Sequence, residues 1–331
     1  MRPLARLTDA ALEASVVGSF SRYGYRWRRR LEQWRDPPAM TGARVLVTGA
    51  TSGIGLACAR AFALRGAAVR FVARDLERAV AARDSIVDET GQRDVDFTLA
   101  DMADLEAVRA VAQWVLAEGG DLSVLVHNAG SVSPTLRTNG AGVEVTLAGQ
   151  VLGPFLLTGL LLPALAGASP GRVITVSSGG MYTVRHDLRA LVTPAGPYDA
   201  LATYARVKRA QVVLNAEWAR RVASTSVVFH SLHPGWVDTA GLRASLPRFA
   251  AVAGPWLRTT AEGVDTLTWL AAAPSGVTSS GEFWHDRRVR STDRRPATRS
   301  ADPAGDGARL FAWCSSHARW SPTPGLYGQR W

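Results

Sequence analysis

The chain of 331 residues predicts an α/β fold, a doubly wound parallel sheet of about seven strands with helices on both faces. Three observations carry that prediction. Short β-rich runs recur with gaps long enough for a crossover helix. The runs are continuously apolar instead of alternating, as strands covered on both faces must be. A glycine-rich turn stands at the end of the first run, tightening the passage from strand to helix. With 47% apolar and 20% charged residues, the chain can bury one large core or two modest ones.

Residues 1–41 read as a basic, aromatic extension ahead of a main domain spanning 42–290. Within the extension, residues 22–35 hold six arginines and two tryptophans before Pro37 and Pro38. The first expectation is a helix that packs its Tyr and Trp on the domain and solvates its arginines. Contact with an anionic membrane surface is the second, and a nucleic-acid partner is not expected. Strands are expected at 44–49, 68–73, 95–100, 122–127, 172–177 and 226–232, with a weaker one at 281–286. Amphipathic segments of helical length separate them. The longest apolar stretch, Val151 to Ala168, is interrupted by Gly153, Pro154, Gly159 and Pro163 and reads as a buried helix, not a membrane span. Residues 241–260 and the Pro/Gly-rich 179–200 are expected as loops over a cleft, and 198–223 as a long helix whose apolar face could pair in a homo-oligomer or serve the core. Residues 291–331 form an Arg/Pro-rich C-terminal extension with a short helix and, from 321, a loose tail.

Cys58 and Cys314 are far apart, with no CxxC and no His/Cys cluster at ligand spacing, so neither a disulfide framework nor a metal site is expected. No apolar leader with a small-residue cleavage site is visible. The expected localisation is cytoplasmic, with a peripheral position at a membrane as the alternative.

The first strand runs into TGATSGIGLA, residues 48–57. Gly49, Gly53 and Gly55 let the turn tighten, the backbone approach a pyrophosphate and the next helix pack close. Thr51, Ser52 and Ile54 complete a helix N-terminus whose free amides and dipole suit phosphates. A mononucleotide or dinucleotide site is the expectation. At the end of the second strand an NAD site carries a carboxylate for the ribose 2′-hydroxyl, whereas a 2′-phosphate needs a cation. Here Ala73 stands in the carboxylate position and Arg74 follows, which favours NADP(H). Asp75, one residue on, keeps NAD(H) open.

Further motifs follow in order: Asp101 after the third strand, HNAG at 127–130, VSS at 176–178, YARVK at 204–208 and HPGWVDT at 233–239. Each is common alone. All six, in register over roughly residues 42–285, resemble the short-chain dehydrogenase/reductase (SDR) family. RVITVSSGGM, RAQVVLNAEWA and HPGWVDTAG more narrowly resemble its group called dehydrogenase/reductase SDR family member 12. The resemblance implies a Rossmann-type fold and NAD(P)-linked carbonyl/alcohol chemistry on a small molecule. It also implies that Asp101 and Met102 border the adenine and that Asn128, Ala129 and Gly130 line the cofactor cleft. Pro234, Gly235, Val237 and Thr239 would approach the nicotinamide carboxamide, with a helix N-cap as the plainer reading of Thr239.

Lys208 is the only lysine beside 37 arginines, and it stands one helical turn after Tyr204, so the two side chains leave one face. A phenol of pKa about 10 is a poor acid-base group near neutrality, and a neighbouring ammonium favours its phenolate. The compact ammonium can also bond ribose hydroxyls, which a planar guanidinium would not reproduce. Ser178 would bond the substrate oxygen while Tyr204 moves the proton; Ser177 competes for that role, and the resemblance selects Ser178.

Three departures stand against the family pattern. The interval from Ser178 to Tyr204 is 26 residues, about twice that of compact members. Gln150 stands where an asparagine usually supports a water and proton relay to the lysine. His127 replaces the first asparagine of a pair and reads as a satisfied strand-end histidine. Met181, Tyr182, Trp236 and Trp256 suggest an apolar substrate cleft. The rival reading, motivated by Gln150 and the basic termini, is a nucleotide-binding scaffold with weak or no catalysis, acting at a membrane or in regulation.

Overall fold

The computed structural model describes residues 3–192, 196–222 and 227–322. The expected tail lies, from residue 323 on, outside the described residues. Three helices open the chain: α1 (Pro3–Ala14), α2 (Val16–Phe20) and α3 (Arg22–Glu32). Ser15 and Ser21 start the second and third by accepting the amides of Gly18 and Gly24. Strands and helices then alternate: β1 (Arg44–Thr48), α4 (Gly53–Ala63), β2 (Ala68–Ala73), α5 (Leu76–Thr90), β3 (Val95–Leu99), α6 (Leu105–Ala117) and β4 (Val124–His127). After a loop come α7 (Val145–Leu147), a π-helical turn at Ala148–Leu152, α8 (Gly153–Gly167) and β5 (Gly171–Val176). The chain continues through α9 (Leu188–Val192), α10 (Ala200–Arg221), β6 (Val227–Leu232), α11 (Ala240–Ser245), α12 (Pro247–Ala253) and α13 (Thr260–Ala272). It ends with β7 (Glu282–His285), β8 (Arg288–Val289) and α14 (Pro303–Ala318).

The strands form one sheet in the order β3-β2-β1-β4-β5-β6-β7-β8. The first seven are parallel, and all seven expected runs are among them. The eighth strand is antiparallel, only two residues long, and reached through Asp286 and Arg287 with φ near +53° and +54°. Strand order reverses between β1 and β4, which opens a crevice at their carboxyl ends. Helices α4, α5 and α13 cover one face of the sheet over an apolar cluster that includes Phe62, Phe71 and Leu267. On the other face, α6, α8 and α10 pack over Leu125, Phe155 and Trp218, and α14 lies outside α8 and α10.

The helix Val145–Gly167, which contains the apolar stretch, is the one helix among the described residues long and apolar enough to cross a membrane; 83% of its most apolar window is buried. The two segments expected as loops carry short helices, a 3-10 turn at Gly179–Thr183 and α9 in one, α11 and α12 in the other.

The N-terminal arginines divide between surface and interior. Tyr23 and Trp27 are exposed beside exposed Arg26, Arg29 and Arg30, whereas Arg28 is 1% exposed. Arg28 bonds Asp9 at 2.7 Å, Glu13 at 3.0 Å and Asp286 at 2.7 Å. A second buried arginine, Arg258, reaches Asp286 at 2.6 Å, so one carboxylate at the β7–β8 turn is clamped between two guanidinium groups. Arg294 of the C-terminal extension pairs with Glu13 as well. The three N-terminal helices are therefore held by ions drawn from both ends of the chain.

Candidate active site

At the crevice, Gly49 has φ +71°, and a Cβ there would lie 2.8 Å from the Cα of Ala129. A Cβ on Gly55 would meet the Gly49 carbonyl oxygen at 2.2 Å and the Asn128 amide nitrogen at 2.4 Å, so only glycine lets α4 sit this close to the strand end. Thr51, Ser52, Gly53 and Ile54 lie in this turn and at the start of α4; the Ser52 hydroxyl makes no cap, which leaves the first amides of the helix pointing outward. The γ-methyl of Thr239 stands 3.2 Å from the place of a Gly53 Cβ, and its hydroxyl caps α11 through Leu242, so this residue both ends the HPG segment and borders the turn.

Asn128 ties the turn to β4 by donating its side-chain amide to the carbonyls of Thr48 (3.1 Å) and Gly49 (3.0 Å). The buried Thr48 hydroxyl accepts the backbone amides of Asn128 and Ala129, both at 3.0 Å. Thr48 is thus a latch at the point of strand reversal that motif reading passed over, although a lone hydroxyl closing the apolar run of β1 was its visible signal.

Arg74 is exposed at the end of β2 and makes no ion pair among the described residues. The Asp75 carboxylate accepts the Arg78 amide at 2.8 Å and starts α5. The acid that kept NAD open is therefore engaged as a helix cap, and the arginine is the free charge at this strand end. Asp101 is exposed and accepts the Ala103 amide at 2.9 Å, whereas the Met102 side chain turns into the core.

Strand β5 and helix α10 bring the chemical groups together. Ser177 is buried and donates to the Lys208 carbonyl at 2.9 Å, a structural bond that separates it from Ser178. Ser178 is half-buried, caps the 3-10 turn through Gly180 at 3.3 Å and lies within hydrogen-bonding reach of Tyr204. The Lys208 ammonium nitrogen lies 5.3 Å from the Tyr204 ring centroid and donates to the Val176 carbonyl at 3.0 Å. Burial raises the Tyr204 phenol, with the Ser178 hydrogen bond pulling the other way, and burial lowers Lys208 to about 7. Lys208 does not figure among the causes that move the phenol, so the expected downward pull of an ammonium is outweighed here by burial.

Gln150 lies in the π-helical turn, donates to the Ser131 carbonyl at 2.7 Å and sets its side-chain oxygen 3.0 Å from the place of a Gly130 Cβ. His127 is buried, bonds Thr158 at 2.8 Å and is lowered by burial to about 3, as a neutral strand-end histidine is. Across the crevice, Arg258 donates to the carbonyls of Ser19 (2.9 Å), Phe20 (3.1 Å) and Pro234 (3.3 Å), and a Cβ on Gly235 would strike it at 2.3 Å. Val237 is buried and bridges Arg258 in parallel fashion. Arg258 therefore shapes the HPG segment, a role invisible in the sequence because its partners lie 24 to 239 positions away.

The expected apolar cleft needs correction. Met181 and Tyr182 are buried in a cluster with Phe20, Val212 and Phe283, because the 3-10 turn folds them back on α10 and Phe20 covers them. Trp236 is half-buried, stacks edge-on against Phe20 and Phe249, and Trp256 is 42% exposed.

The short chain dehydrogenase family profile matches residues 43–248. Dehydrogenase/reductase SDR family member 12 of Homo sapiens is 38% identical over 268 residues, covering 80% of this chain and 82% of the relative. Retinol dehydrogenase 12 of Bos taurus is 34% identical over 257 residues, covering 76% of this chain and 80% of the relative. Among solved structures, an uncharacterized protein from Mycobacterium paratuberculosis superposes with a TM-score of 0.68 at 26% identity, over 87% of this chain and 97% of that one. L-sorbose reductase from Gluconobacter frateurii gives 0.62 at 23% identity over 74% and 95%, a likeness of fold. A glycine turn at the strand reversal, a serine and tyrosine in reach of each other and this shared ancestry lead to one assignment: the chain belongs to the short-chain dehydrogenase/reductase family of oxidoreductases.

Proposed function

We propose that the protein is an NADP(H)-dependent oxidoreductase interconverting a carbonyl and an alcohol on a rather apolar small molecule. The observation that carries the reading is the meeting of Ser178, Tyr204 and Lys208 at the carboxyl edge of β5, two strands along the sheet from the β1 strand that ends in the glycine turn. The residues present suit a dinucleotide: the cradle at Gly49 and Gly55 admits no side chain, α4 offers its free amides, and Arg74, exposed and without an ion pair among the described residues, suits a 2′-phosphate. Asp101, Asn128, Ala129, Gly130, Pro234, Gly235, Val237 and Thr239 would line the remainder of the dinucleotide's path. When bound, the nicotinamide supplies or accepts the hydride. Ser178 Oγ orients the substrate oxygen, Tyr204 Oη gives or takes the proton there, and Lys208 Nζ bonds ribose hydroxyls and favours the phenolate. Gln150 fixes the wall behind Gly130.

Tryptophan fluorescence titrated with NADPH and NADH, followed by a carbonyl panel, tests the reading. NADPH binds tighter in the wild type; Arg74→Ala weakens NADPH roughly 10-fold or more and leaves NADH unchanged. Tyr204→Phe keeps cofactor binding and lowers turnover at least about 100-fold. Equal affinity for both cofactors in wild type and variant would overturn the cofactor assignment, and turnover indifferent to Tyr204 would leave a nucleotide-binding scaffold.

A further inference from the structure

Between the sheet and helices α8 and α10 lies a cavity of about 20 Å³, walled largely by apolar side chains such as Phe155, Trp218 and Phe229. Six buried polar side chains line the same wall, among them His127 from the end of β4, Gln150 from the π-helical turn, and Gln211 and Asn215 from α10. His127 spends one ring nitrogen on Thr158, and Gln211 spends its amide nitrogen on the backbone carbonyl of Gln150 at 2.8 Å. Among the described residues, His127 Nδ1, Gln211 Oε1, Gln150 Oε1 and both amide atoms of Asn215 have no hydrogen-bond partner. Five unpaired polar atoms thus belong to side chains that line one small void. Buried polar groups in folded proteins are almost always paired, and each one left dry is costly.

The dimensions restrict what can pair them. One water needs roughly 10–15 Å³ and two to four polar partners. The void holds that and little more, so an organic ligand is excluded by size. Water also has the right chemistry, since its hydrogens suit Gln211 Oε1, Asn215 Oδ1 or His127 Nδ1 and its lone pairs suit Asn215 Nδ2.

The placement ties this void to the candidate site. Tyr204, Lys208, Gln211 and Asn215 stand at i, i+4, i+7 and i+11 of α10, one continuous polar stripe running from the phenol into the cavity. Gln211 in turn grips the π-helical turn that carries Gln150 against Gly130. We propose that the cavity is a resident-water site, one molecule held by Asn215, Gln211 and His127, which fixes α10 to the π-helical turn. The proposal concerns the folded chain and stands whether or not the protein reduces carbonyls.

Asn215→Leu, nearly isosteric, gives a test by sign. With a resident water, the leucine expels it and strands His127 Nδ1 and Gln211 Oε1, and the melting temperature falls by roughly 2 °C or more. With a dry cavity the same change removes two unpaired polar atoms, and a rise in melting temperature would overturn the proposal. A high-resolution crystal structure of the wild type decides independently of how the variant folds. A single density peak within hydrogen-bonding distance of Asn215 and Gln211 supports the site, and an empty void overturns it.

Discussion

Within the candidate site, burial brings Lys208 to titrate near neutrality. Burial lowers its amine to about 7, so its charge, and with it the attraction for the phenolate, is present below that pH and lost above it. The unfolded chain holds this proton up to roughly pH 10.4, so between 7 and that value the lysine favours the fold more as pH rises. Under the proposed function, chemistry and stability would pull in opposite directions. We predict that kcat/KM for carbonyl reduction declines as pH rises through about 7, and that Lys208→Arg, charged throughout, gives a flatter profile with lower kcat. A wild-type profile level from pH 6 to 9 would refute the link between this amine and turnover. The neighbouring Ser177 and Ser178 show what a motif can and cannot resolve: the pair is readable, but only the structure shows that the Ser177 hydroxyl is engaged by the Lys208 carbonyl.

Helix α14 decides the fate of the long helix α10. Read alone, α10 has an apolar face that could meet a second chain, but here Phe311 of α14 packs edge-on against Phe155 and Trp218, both at 4.9 Å between centroids. The face is thus covered within the chain. Truncation before Pro303 should expose it and drive self-association, visible by size-exclusion chromatography with light scattering; a truncated protein that stays monomeric would show that α14 is dispensable to that surface. The seven parallel strands were legible because each is a continuous apolar run, and their register follows from crossovers of ordinary length. Strand β8 was not, since two residues carry no periodicity and its pairing depends on a turn of two residues with positive φ. Nothing local to Met181 and Tyr182 announces that Phe20, some 160 positions earlier, packs with them and withdraws them from a cleft.

Across the whole molecule, ion pairs bind the ends to the middle. Burial would raise Asp9, but the hydrogen bonds and charges of Arg290 and Arg28 overcome it and hold the acid at about 2. Burial likewise opposes ionisation of Asp286, and Arg258 foremost among its neighbours holds it far below the usual carboxylate range. A depressed carboxylate stabilises the fold above its unfolded value, near pH 3.9, and that contribution is lost as pH falls toward the folded value. Acid unfolding should therefore begin below about pH 4, and Asp9→Asn should remove part of the pH dependence between 4 and 2 in far-UV circular dichroism titrations. An unchanged titration would place the acid sensitivity elsewhere. None of this network was legible in advance, because the arginine run at 22–35 looks like a solvated face until Asp9, Glu13 and Asp286 are seen to converge on Arg28. The same preference for guanidinium groups leaves a single side-chain amine in the molecule, at the heart of the candidate site. Because that amine is buried and donates to the Val176 carbonyl, an amine-directed reagent should find it slowly in the folded protein and quickly in the unfolded one. Its rate of labelling, read by mass spectrometry at a single side chain, then reports how often the site opens to solvent.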